Sequence, residues 1–152
     1  KEYRRQRQMC IRDSDNTIRL AQSPMRSASV FNFFRPRYSP PVTELARRGQ
    51  VAPELQITDE TSIAGYLNFL AIYVDRGWED LQTNYAAEIA LARDPAALVA
   101  RVALLLAGDA FSSATANAIA QAVATLPPER PRDRVRAAIM LVAASPEYLV
   151  QK

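Results

Sequence analysis

The side chains able to do chemistry are few, and the first fact about them is an absence: the 152 residues contain no histidine. That removes Ser-His and Cys-His nucleophile pairs, the commonest general base and the commonest metal ligand together. Four scattered glycines cannot build a phosphate-cradling loop. Oxygen-only sites for Mg²⁺ or Ca²⁺ need no histidine, so the carboxylates have to be weighed one by one. Thr58-Asp59-Glu60 has the order of a helix start, Glu79-Asp80 beside Trp78 that of a solvated turn, and Asp94 and Asp109 suit a cap and a turn. Ser112-Ser113 has no base near it in the chain and reads as a cap. Accordingly no catalytic, cofactor-binding or metal-ligating residue is assigned, and no cofactor is expected.

One segment stands apart. Val30-Phe31-Asn32-Phe33-Phe34-Arg35-Pro36-Arg37-Tyr38 interleaves aromatic rings with guanidinium groups. Such a run can stack on bases or sugars, or dock a partner. The plainer reading is that the rings anchor an irregular segment to a core while Arg35 pairs with a carboxylate. Aromatic rings are costly to leave in water, which favours burial against something. Phe33, Phe34, Arg35, Arg37 and Tyr38 are therefore the candidate ligand or partner contacts.

The net charge of +3 invites a nucleic-acid reading, because Lys1, Arg4, Arg5, Arg7 and Arg12 crowd the start. Yet the decapeptide RRQRQMCIRD, residues 4–13, is the translation of CGT-CGG-CAG-CGT-CAG-ATG-TGT-ATA-AGA-GAC, the transposon-based tag of a common DNA library preparation. The tag continues into a Ser codon, matching Ser14, so residues 1–14 are expected to be a non-native leader. They hold five of the 19 basic and two of the 16 acidic residues, which leaves fourteen of each. Without the leader the chain is neutral, and the electrostatic case for nucleic acid disappears. The only cysteine, Cys10, goes with it. The chain begins without Met, so an upstream part of the protein is expected to be missing.

These side chains must be positioned by helices. Ten prolines, few glycines and Ala-rich runs suit helices with proline-punctuated turns better than sheets. Residues 15–57 form an irregular, proline- and aromatic-rich segment, with residues 16–21 able to end a helix begun upstream. That segment holds one short helix, residues 44–48, capped by Thr43 and stopped by a left-handed Gly49. Residues 58–152 are predicted to be a helical domain. Ile63, Tyr66, Leu67, Leu70, Tyr73 and Val74 give one apolar stripe over residues 59–75, and residues 85–91 are helical. Asp94-Pro95 opens the next helix, whose stripe is Leu98, Val99, Val102, Leu105 and Leu106. Residues 114–126 follow under a Ser112 or Ser113 cap, with Phe111 stapling the entry. Residues 131–144 bury Val135, Ala138, Ile139 and Val142, and Ser145-Pro146 caps a final short turn. Short connections favour an antiparallel, bundle-like array, an all-α fold. In it Leu105→Asp should cost about 3–5 kcal/mol by burying a charge. No apolar run approaches the roughly 20 residues of a membrane span.

Two stretches, SVFNFFRPRYSPP (residues 29–41) and GQVAPELQI (49–57), resemble the bacterial family known as domain of unknown function 1800. DPAALVARVALLLAG, SSATANAIAQAV and DRVRAAIMLVAASPEYLVQK are similar to its C-terminal portion, so the resemblance runs from Leu20 to Lys152. It implies the C-terminal third or less of a longer, largely helical and often exported protein. Where the family loop commonly has Gly, Arg37 and Val42 stand here. The family brings no agreed catalytic residues. The expected function is thus a non-catalytic structural or interaction-bearing region, partnered by the upstream part of the same protein or by another protein. The alternative is part of an enzyme or ligand-binding protein whose site lies upstream, with the loop around Arg35 lining the cleft.

Overall fold

The computed structural model describes residues 21–22, 27, 29–77, 82–108 and 111–149. The leader, the helix tail over residues 16–20, the turn at Glu79-Asp80, and Asp109 lie outside the described residues. Among the described residues every regular element is helical, apart from an isolated bridge between Ser29 and Asn32. The chain divides into two compact units, residues 1–69 and 70–152.

In the first unit, Thr43 accepts from the Ala46 amide and starts helix α1, Glu44–Arg47. Gly49, at φ +64°, ends it, with its amide and that of Gln50 returning to the carbonyls of Ala46 and Leu45. A 3-10 helix over Pro53–Ile57 follows, which hydrophobic spacing did not reveal. Helix α2, Glu60–Arg76, begins with a reciprocal cap. The Asp59 carboxylate accepts from the Ser62 amide at 2.7 Å, and the Asp59 amide donates to the Ser62 hydroxyl at 2.9 Å. Asp59, not Thr58, is the cap. The division between the units falls inside α2.

The second unit begins in the last turns of α2, which Gly77 ends at φ +66°. Four longer or shorter helices then alternate with tight turns: α3 Ala86–Leu91, α4 Pro95–Ala107, α5 Ser113–Ala124 and α6 Pro131–Ala143, before a final turn, α7 Pro146–Leu149. Asp94 accepts from the amides of Ala96 and Ala97, and Ser112 from that of Thr115, as the cap signatures require. The core joins Leu98, Val99 and Val102 of α4, Ile119 and Val123 of α5, and Val135, Ala138 and Val142 of α6. Valine and alanine dominate it, so the helix axes can approach closely. Phe111 and Ile139 pack on its margin.

Hydrogen bonds between helix ends give the directions. Arg134, in the first turn of α6, reaches both the Ala92 carbonyl just before α4 and the Leu126 carbonyl just after α5. At the other end Glu147, just after α6, meets Ser112 and Thr115 at the start of α5. Thus α4, α5 and α6 run up, down and up.

One expectation is corrected. Leu105 is 62% exposed and Leu106 40%, so neither belongs to the buried stripe. That stripe is Leu98, Val99, Val102 and Ala103. At about 100° per residue, Leu105 stands roughly a quarter turn from its centre, and Leu106 falls in the last turn before Gly108. Ser145 donates its hydroxyl to the Val142 carbonyl at 2.7 Å, closing α6, while its own carbonyl, at the start of α7, accepts from the Leu149 amide.

Candidate functional site

The aromatic–arginine segment is built from consecutive turns. The Asn32 amide returns to the Ser29 carbonyl and the Phe34 amide to that of Phe31, with Asn32 itself at φ +63°. Asparagine tolerates that left-handed conformation better than most residues. The Tyr38 amide then bonds the Arg35 carbonyl at 2.9 Å, making a β-turn with Pro36 at its second position. Two longer-range bonds hold the turn against the 3-10 segment. The Arg35 amide donates to Gln56 Oε1 at 2.7 Å, and the Ala52 amide to the Tyr38 carbonyl at 2.8 Å.

Of the predicted contact residues, Phe33, Phe34 and Tyr38 are half-buried, whereas Arg35 and Arg37 are exposed. Among the described residues neither guanidinium has an ion pair or a side-chain hydrogen bond. Among the described residues, then, Arg35 has no carboxylate partner, and its amide, bonded to Gln56, is what ties it down. Val30 at 95% and Phe31 at 58% exposure lie beside the turn in sequence, in front of the half-buried rings. The nearby Arg47 and Arg48 differ, since both pair with Glu44.

The second unit places its polar groups in structural roles. Arg134 is 6% exposed and donates Nε and Nη2 to Leu126 and Nη1 to Ala92. It satisfies two orphaned helix-end carbonyls, which sequence reasoning missed because an arginine early in a helix reads as solvated. Arg136 pairs with Asp75 at 2.6 Å and also donates to its carbonyl, tying α6 to the end of α2. Arg101 pairs with Glu88 at 2.7 Å, and that hydrogen bond holds the Glu88 carboxyl below its usual range. Tyr85 donates to the Val74 carbonyl at 3.0 Å, and burial pushes its pKa up. Glu147 accepts from the hydroxyls of Ser112, at 3.1 Å, and Thr115. Ser112 thus has a carboxylate neighbour that chain order concealed, but its hydroxyl also takes the Thr115 amide as a cap.

Among the described residues no group of three or more Asp, Glu or Cys is placed to hold a metal ion. No helix among them is long and apolar enough to cross a membrane. Compared with known families, residues 4–150 match the model described as Protein of unknown function (DUF1800). That span takes in residues 4–14, part of the expected non-native leader. No curated protein and no solved structure matches.

Proposed function

Since the chain belongs to the DUF1800 family of proteins of unknown function, we propose that it acts as a structural, interaction-bearing helical region that performs no chemistry of its own. Its contact surface is the turn carrying Phe33, Phe34, Arg35, Arg37 and Tyr38. The observation that supports this is the contrast within that turn. Its backbone is pinned by Gln56 and Ala52, while two charged side chains stand in solvent without a carboxylate among the described residues. A surface held in one conformation loses little entropy when a partner covers it. The first partner is the upstream part of the same protein, which the family resemblance implies.

Hydroxyl-radical footprinting of this chain and of the full gene product tests the reading. Oxidation of Phe31, Phe33, Phe34 and Tyr38 should fall several-fold in the longer protein or on addition of its upstream part. Unchanged labelling at all four rings, with or without added partner, would sink it. In the same reading the protein is bacterial and exported, and residues 1–14 are translated adapter. The genomic locus decides the last point: the adapter codons should be absent from it.

A further inference from the structure

Resting on that docking reading, we infer that the Arg35–Tyr38 turn takes an extended, acidic protein segment, whose carboxylates pair with Arg35 and Arg37 while its apolar residues cover Val30 and Phe31. Three observations converge. First, Glu44 pairs with Arg47 and Arg48, while Arg35 and Arg37 are exposed cations with no acidic partner among the described residues. Second, both are arginines, separated only by Pro36 at the tip of one hydrogen-bonded turn. A planar guanidinium binds a carboxylate with two parallel hydrogen bonds and stays charged at every working pH. Third, Val30 and Phe31 offer exposed apolar area a few residues before the charges along the chain, with the half-buried Phe33 and Phe34 between them in sequence. A ligand with carboxylates alone would leave that area wet; an apolar ligand alone would have to strip water from two unpaired cations.

The count of cations argues against nucleic acid. Tight phosphate-backbone binding needs many lysine or arginine contacts, since its affinity scales with the number of phosphates neutralised. Among the described residues this turn offers two, and residues 15–152 are neutral as a whole. Two guanidiniums suit a short acidic stretch of a protein. Where the surrounding turn is already fixed, the partner supplies most of the ordering, as an extended strand or loop does.

Panning a random dodecapeptide phage library on the full chain and on its R35E/R37E variant tests this. Both proteins carry the same leader, so its basic residues cancel. Both substitutions lie on exposed side chains, and equal melting by circular dichroism verifies the fold. Wild-type binders should be enriched in Asp and Glu with neighbouring aliphatic or aromatic residues. A synthetic winner should lose affinity about tenfold on R35E/R37E, and lose part of it on F31A. Binders without acidic enrichment that F31A still weakens would overturn the inference and leave the docking surface standing. Binders indifferent to every change in the turn would overturn both. A dT20 oligonucleotide that binds tighter than the peptides, and is lost on R35E/R37E, would overturn the inference in favour of single-stranded nucleic acid.

Discussion

At the scale of the residue, Val42 is a strained position. It sits at φ +61° with its side chain 97% exposed, just ahead of the Thr43 cap. A β-branched residue is an outlier in the left-handed region, where the Cβ crowds the following carbonyl at a cost of about 1–2 kcal/mol. Its exposed side chain returns little of that. Glycine removes the clash but has more freedom to lose on folding, about 0.5–1 kcal/mol. Val42→Gly should therefore stabilise the chain by about 0.5–1 kcal/mol, read as a higher urea midpoint at unchanged slope. A lower midpoint would mean the valine makes contacts that outweigh its backbone. Arg37, the other place where the resembling family has glycine, has no positive φ, so the same exchange there should gain nothing. Glu88 gives a pH signature. Its carboxyl is held below the usual 4.5 by the Arg101 hydrogen bond. A lowered folded value means the pair stabilises the fold above the ordinary carboxyl range, and that the contribution is lost as pH falls through the lowered value. Glu88→Gln should be less stable than wild type at neutral pH, with the gap closing as pH falls through the lowered carboxyl value. Salt should shrink it too, because the Arg101 side chain is well exposed. A gap independent of pH would trace the cost to packing.

At the scale of the element, α4 separates burial from composition. Val102 is 2% exposed and faces α5 and α6, while Leu105, three residues on, is 62% exposed. The same charge should have opposite consequences at the two sites. Val102→Asp should cost about 3–5 kcal/mol, because an unpaired carboxylate enters a dry core. Leu105→Asp should stay within about 0.5 kcal/mol. Paired thermal melts of the two variants decide the matter, and a large loss at Leu105 would put that side chain inside after all. The helix ends carry comparable weight. Arg134 joins the end of α3 to the end of α5 by bonding Ala92 and Leu126, and Glu147 joins α7 to the start of α5. Buried carbonyls left without donors cost about 1–3 kcal/mol each, so a single arginine orients three helix ends.

At the scale of the whole molecule, the balance of charge hinges on its first fourteen residues. Residues 15–152 carry equal numbers of acidic and basic groups. A protein beginning at Asp15 should pass through a heparin column at low salt, and the 152-residue chain should be retained on it through the leader alone. Retention of the shorter protein with a steep salt dependence would revive nucleic-acid binding as a property of the folded part. The two compact units, residues 1–69 and 70–152, also divide the roles. The first presents the aromatic–arginine turn, and the second holds the three-helix core.

The all-α class, the helix positions in the second half and the caps at Thr43, Asp94 and Ser112 were legible in the chain, because periodicity and capping are local properties of neighbouring residues. The same holds for the aromatic–arginine run as a conspicuous segment, and for the left-handed turn at Gly49. What the tertiary structure decided were the pairings across distance. Gln56 receives the Arg35 amide, Glu147 meets Ser112 and Thr115, and Arg134 is buried instead of solvated. It also decided that Leu105 faces water, because the apolar residues of α4 spread around the helix more widely than the neighbouring helices cover. Contacts between residues tens of positions apart depend on how helices stack, and no window of sequence contains that.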